Sequence, residues 1–206
     1  MKTTIFKISV LILSLSPIVF SCSDKENNSP NISKTKGSGN VHYDNTINSL
    51  NGGVLKINSA AQTYILYDLI LFSTNYNFDL NTGKLTHGNF SPLNYVKFTI
   101  CLSKTTADLN GDGIINSNDM SASDVSLPLG KYSFNNAYVN STFTGGEFSK
   151  NDPATKLHII QSGTLEIKHE NNLYAINYDG KDTDGVSLYC DYKGKIGFVY
   201  NGKYIN

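Results

Sequence analysis

From Val41 to Asn206 the apolar residues come in short runs separated by turn-forming residues, and no long stretch keeps a helical period. That pattern commits the chain to strands, because side chains on an extended backbone point alternately to two faces. Asn94 to Lys104 shows it most cleanly, with Val96, Phe98, Ile100 and Leu102 on one face and Lys97, Thr99 and Cys101 on the other. Thr63 to Ser73, TYILYDLILFS, is apolar on nearly both faces, as expected of a central strand covered from both sides. Asp68 interrupts it, and a buried carboxylate needs partners, so Asp68 reads as a structural hydrogen-bond hub, with a site role as the alternative. Val54 to Asn58 and Lys131 to Phe134 read as further strands. Asn77 to Leu80 and Lys84 to His87 flank Asn81-Thr82-Gly83 as a hairpin. The C-terminal third reads as a meander through 156–161, 163–169, 173–178, 186–192 and 195–200. The expected fold is all-β, a single antiparallel β-barrel or β-sandwich domain over residues 41–206.

One insertion carries a chemistry. Asp108 to Asp119, DLNGDGIINSND, puts oxygen side chains at loop positions 1, 3, 5, 9 and 12: Asp108, Asn110, Asp112, Asn116 and Asp119. Ile114 at position 7 offers its backbone carbonyl, Gly113 at position 6 allows the sharp turn, and Ile115 is the apolar anchor. A hard cation takes six to eight oxygens, so these residues are the candidate calcium ligands. A strand leads into the loop where an EF-hand needs a helix, so the resemblance is to the single calcium loops of dockerin and thrombospondin-type repeats. It covers those positions alone. Asp119 stands where tight sites have a bidentate Glu, which predicts weak binding, on the order of 10⁻⁴ to 10⁻³ M. Met120 to Asp124 suits one helical turn, stopped by Pro128 and Gly130.

The N-terminus reads as an address. Lys2 and Lys7 precede an apolar run, Ile8 to Phe20, too short to span a bilayer, so residues 1–21 are expected to be a signal peptide. Val19-Phe20-Ser21-Cys22 resembles the lipobox of bacterial lipoproteins, which implies lipidation of Cys22 and a membrane anchor through it. Ser23-Asp24-Lys25-Glu26 resembles the acidic export signal of Bacteroidota lipoproteins, which implies display at the outer surface of the outer membrane. Residues 22–40, polar and rich in Ser, Asn and Gly, read as a flexible tether averaging about 20 to 25 Å end to end. The run Gly163 to Ile196, with Leu127 to Tyr132, resembles small barrel or sandwich lipoproteins of Bacteroidota, some calycin-like, and this implies fold rather than ligand.

Seventeen basic and 17 acidic side chains cancel, so no long-range field draws the chain to nucleic acid or anionic lipid. Cys101 reads outward and Cys190 inward with Val186 and Leu188, so a disulfide between them is not expected. The acidic run Asp179 to Gly185 reads as a solvated turn, and the four His, at 42, 87, 158 and 169, as surface or rim residues. Tyr189, Tyr192, Tyr200 and Tyr204 suit sheet packing before ligand stacking. No nucleophile or nucleotide motif is present. The leading expectation is a calcium-stabilised domain that binds an extracellular glycan or protein without catalysis. Two alternatives stand beside it: a hydrolase using paired carboxylates such as Asp182 and Asp184, and a structural subunit of a surface assembly.

Overall fold

The computed structural model describes residues 36–73, 76–79, 84–87, 94–149, 157–200 and 203–205. Cys22, the signal peptide and most of the expected tether lie outside the described residues, as does the Asn81-Thr82-Gly83 turn. The strands are β1 (Lys36–Tyr43), β2 (Thr46–Ala60), β3 (Tyr64–Phe72), β4 (Tyr76–Asp79), β5 (Lys84–His87), β6 (Tyr95–Ser103) and β7 (Gly130–Phe134). They continue with β8 (Thr142–Ser149), β9 (His158–Glu170), β10 (Leu173–Asp182), β11 (Ser187–Gly194), β12 (Gly197–Tyr200) and β13 (Lys203–Ile205). Two 3-10 turns, Ser117–Asp119 and Ala122–Asp124, take the place of the expected helical turn. Among the described residues no helix is long and apolar enough to cross a membrane.

Nine strands close into a barrel in the order β1-β11-β10-β9-β7-β8-β6-β3-β2, and β2 pairs back onto β1. Of the two architectures open to the sequence, the barrel is the one formed. Closure leaves the strands of the ring with no free edge, the main hazard of a sheet this size. Two pairings are parallel, β7 with β8 and β12 with β2. At 135–141 the chain steps sideways and resumes in the same direction, so that β7 and then β8 border successive parts of β9.

The interior is filled by alternate side chains of the ring. Phe98, Phe143 and Tyr178 meet at its centre with ring centroids 4.9 to 6.2 Å apart. β3 is covered on both faces, as its unbroken apolar run requires. Within it Asp68 is the hub that was expected: Asn58 Nδ2 donates to both its oxygens at 3.0 Å, Thr99 Oγ1 donates at 2.7 Å, and Lys56 Nζ lies 3.9 Å away. Cys101 and Cys190 are both free and buried. Cys101 keeps the outward side that alternation gives it, since Ile100 and Leu102 belong to the interior cluster while Cys101 and its ladder partner Leu66 do not, yet it is fully buried. The slip in the β6-β8 ladder adds its extra residue, Thr144, to β8 and leaves β6 regular against β3.

Antiparallel pairing gives the barrel two unlike ends. Residues 104–129 stopper one of them, with Met120, Val125 and Leu127 joining the core. Tyr67 Oη donates to the Asp124 carbonyl at 3.0 Å, Tyr200 Oη donates to the Met120 carbonyl, and Lys104 pairs with Asp124. The other end gathers the close of β1 and β10 and the start of β9, where Tyr43, Asp182 and His158 meet.

β1 begins at Lys36, so Lys36–Asn40, read as the end of the tether, belongs to the barrel. The glycines that suggested a linker are there for packing. A Cβ on Gly39 would lie 2.1 Å from the Asp191 carbonyl oxygen, and one on Gly37 would lie 2.3 Å from the Tyr192 hydroxyl. Only glycine lets β1 approach β11 this closely.

Candidate functional site

The loop at 108–119 forms the wrap that its spacing requires. Gly111 and Gly113 take positive φ, 72° and 80°, and turn their amides toward Asp108, whose two oxygens accept them at 2.7 and 2.8 Å. Asn110 Oδ1 accepts the Asp112 amide at 3.0 Å, and Asp112 Oδ1 accepts the Ile114 amide at 2.7 Å. Asn116 caps the 3-10 turn and forms a reciprocal capping box with Asp119. Asp119, only 2% exposed, stitches the loop shut, accepting the amides of Leu109 at 3.0 Å, Asn110 at 3.3 Å and Asn116 at 2.8 Å. The Asn116 amide holds its carboxyl below the ordinary value, burial opposes this, and the Asn110 and Leu109 amides add to the lowering. Ile114 exposes its side chain, and its carbonyl accepts Asn116 Nδ2 at 3.1 Å.

The donor set fits calcium in kind: three carboxylates, two amides and a carbonyl, all oxygen. The fit in distance is looser. Among the described residues, Asp108, Asp112 and Asp119 do not gather oxygens within 4.8 Å of one another, and each carboxylate accepts loop amides instead. Calcium would be held by Asp108, Asn110, Asp112, Asn116, Asp119 and the Ile114 carbonyl, and it would supply cohesion to the stopper rather than chemistry.

The second cluster was not legible. Asp182, 2% exposed, is no solvated turn residue: its Oδ1 accepts the amides of Asp184 and Val186, both at 2.9 Å, and its Oδ2 accepts the Tyr43 hydroxyl at 2.7 Å. His158 Nδ1 lies 3.3 Å from Oδ2 and 2.7 Å from the Tyr43 hydroxyl. Since Tyr43 gives its proton to Asp182, His158 must donate through Nδ1 to the Tyr43 oxygen. Burial and the Asp182 carboxylate push the Tyr43 phenol up, so it stays a donor. Burial favours the neutral form of Asp182, yet the Tyr43 hydroxyl, the Val186 and Asp184 amides and His158 outweigh it and hold the carboxyl below its ordinary value. Ligand-type atoms of His158, Asp182 and Asp184 lie within 4.8 Å of one another. The Asp182 oxygens are already taken by donors, so this is a hydrogen-bonded tie joining β1, β9 and β10.

Three carboxyls with lowered values, Asp119, Asp182 and Asp124, make acid stability predictable. Lys104 is the main cause for Asp124; burial opposes it, Ser121 assists, and the result is about 2. A depressed native value means that the unfolded chain binds protons first. The stabilisation is therefore complete above roughly pH 5 and is lost as pH falls through the unfolded value near 4 toward the native ones. Calorimetry should find a thermal midpoint that is level from pH 5 to 7 and drops steeply between about pH 4 and 2. Asp124→Asn should flatten part of that drop.

The third feature lies on the outside of the barrel. Residue pairings across β10, β11, β1 and β2 stack outward side chains in rows: Asp179, Tyr189, His42 and Ile47, then Asn177, Asp191, Asn40 and Ser49. The first row begins with the exposed carboxylate of Asp179 and continues through Tyr189, 42% exposed, the half-buried His42 and Ile47, 66% exposed, with the His42 and Tyr189 rings edge to face at 5.5 Å. The second is amide and carboxylate. Each borders a shallow depression, of about 540 Å³ beside His42, Ile47 and Tyr189 and about 510 Å³ beside Asn40, Asn177 and Asp191. His42 Nε2 lies 3.9 Å from Asp191 Oδ2 between them. Of the other C-terminal tyrosines, Tyr192 is core and Tyr200 packs against it, while the Tyr204 side chain lies outside the described residues.

No family model, curated protein or solved structure matches this chain.

Proposed function

We propose that this protein is a lipoprotein held at the outer membrane surface through Cys22, with a calcium-stabilised barrel that binds an extracellular ligand on its outer β10-β11-β1-β2 face. The observation that carries the reading is the half-buried row Asn177, Asp191 and Asn40 beside the exposed Tyr189. Polar groups and an aromatic held on rigid strands around a depression are the makings of a recognition surface. The address rests on the resemblance of residues 19–26 to lipoprotein signals. The calcium role rests on the loop's oxygen set and on its position next to the stopper.

Chemical footprinting of displayed protein tests the binding face. In the presence of the extracellular polymer fraction, acylation of Lys193 and nitration of Tyr189 should fall, while acylation of Lys131, exposed elsewhere, should not. Equal labelling at all three would remove the reading. The anchor has its own test: Cys22→Ser should abolish palmitate incorporation and release the protein from the membrane fraction.

Calcium should raise the thermal midpoint, and Asp108→Ala with Asp112→Ala should erase the rise. At tenfold over its dissociation constant the ion adds about 1.4 kcal/mol to the folded state. A midpoint indifferent to millimolar calcium and to chelator would leave the loop a plain acidic turn.

A further inference from the structure

Three places in the fold offer a ligand something beyond the packing of the barrel, and two of them are closed. The Asp182 cluster has its oxygens filled from within, and the 108–119 loop already belongs to the reading above. The outer face differs because three of its asparagine side chains are idle. Among the described residues, none supplies a hydrogen-bond partner to the side-chain amides of Asn40, Asn51 or Asn177. These amides are half-buried, so water reaches them only from one side. A carboxamide offers two donors and an acceptor, and idle ones at a half-buried site favour a ligand that can match both.

From these observations we infer that the depression at Asn40, Asn51, Asn177 and Asp191 is a binding site for a neutral glycan, whose chain continues onto Tyr189 in the adjoining depression. The inference rests on the reading of the face as a recognition surface and names the ligand class.

Charge supports a neutral ligand. Asp191 and Lys193 cancel within the depression, so neither a polyanion nor a polycation is favoured there. Sugar hydroxyls each give one hydrogen bond and accept two, which complements carboxamides and a carboxylate spaced along the pairing direction of a sheet. Neighbouring side chains in such a row are about 5 Å apart, so successive ones can reach different hydroxyls of an extended sugar chain. The apolar face of the next sugar unit has Tyr189 to pack on, two residues along the strand from Asp191. A protein partner would use the exposed Ile47 and Tyr189 more than the idle amides, and a flat apolar contact would leave those amides buried without partners. Two adjacent depressions of about 540 and 510 Å³ suit two or three sugar units in sequence.

The test is isothermal titration of the full chain with maltoheptaose, cellohexaose, xylohexaose and mannohexaose, with heparin as the charged control. At least one neutral oligosaccharide should bind with a dissociation constant in the range typical of shallow sites, roughly 10 to 1,000 μM. Asn177→Ala and Tyr189→Ala should each weaken it about tenfold, and Asn40→Ala likewise, with unchanged thermal midpoints. These residues sit outside the core, so their loss does not threaten folding. Binding that survives all three substitutions, heparin binding in place of the neutral sugars, or no binding by any of the four would overturn the inference. Because footprinting with the whole extracellular fraction is independent of these four probes, a protected face without sugar binding would sink the glycan and keep the recognition surface.

Discussion

Replacing Asp182 by Ala should lower the stability of the barrel by about 3 to 5 kcal/mol, the range for removing one partner of a buried charged cluster. The substitution strips acceptors from the Tyr43 hydroxyl and from the Asp184 and Val186 amides, and it leaves the hydroxyl to pair with His158 Nδ1 alone. Tyr43→Phe should cost less, about 2 kcal/mol, because it removes the two hydrogen bonds of the hydroxyl, to Asp182 and His158, and keeps the ring that packs on Phe148 at 5.2 Å. The two together should fall short of additivity, since both act on one network. Urea unfolding of the three variants decides it. A loss under 1 kcal/mol for Asp182→Ala would mean that the tie is incidental and that β9 and β10 hold the end of the barrel through their ladder alone.

Gly39→Ala should open the seam between β1 and β11. The added methyl would sit 2.1 Å from the Asp191 carbonyl oxygen and 2.6 Å from the Tyr192 Cα, and both are backbone that cannot swing aside. β1 closes the ring by pairing with β11 on one edge and β2 on the other, so relief of the clash breaks hydrogen bonds in the ladder itself. Overpacking of this kind costs about 1 to 3 kcal/mol when neighbours can move, and the upper end is expected here. Amide exchange should show the damage as lost protection in β1 and β11 and not in β3 or β6. A chain begun at Val41 would lose the same seam and should show the same pattern. Gly39 also lines the polar depression, so the substituted protein should lose glycan binding together with its stability.

The Asp182 tie and the Gly39 seam share a trait: neither can be seen in the sequence near the residue concerned. Asp182 sits in DGKDTDG, a string that reads as a solvated turn, and part of it is one: Gly185 has a φ of 78° and its amide closes on the Asp182 carbonyl. What sequence inspection misses is that Tyr43, 139 residues earlier, brings its hydroxyl to the same carboxylate. Gly39 sits in KGSGN, a string with the composition of a linker. Its partner across the seam, Tyr192, is 153 positions away.

Local physics determined a good deal without help. Alternation in Tyr95–Ser103 settled which side chains enter the core, the unbroken apolar run of β3 required cover on both faces, and Asp68 in its middle required donors, which Asn58 and Thr99 supply. The spacing of 108–119 determined a wrapped loop, because Gly111 and Gly113 permit the φ values that turn amides onto Asp108. These outcomes depend on period, on dihedral freedom and on neighbours within a few residues. Closure into a barrel, the side-step at 135–141, the burial of Cys101 and the rows of the outer face depend on register between strands far apart in the chain. Register is chosen by how nine strands fill one interior at once, and a single strand carries information only about its own two faces. That is why Asn40, Asn177 and Asp191 look unremarkable in the chain and form a row only once β1, β11 and β10 lie side by side.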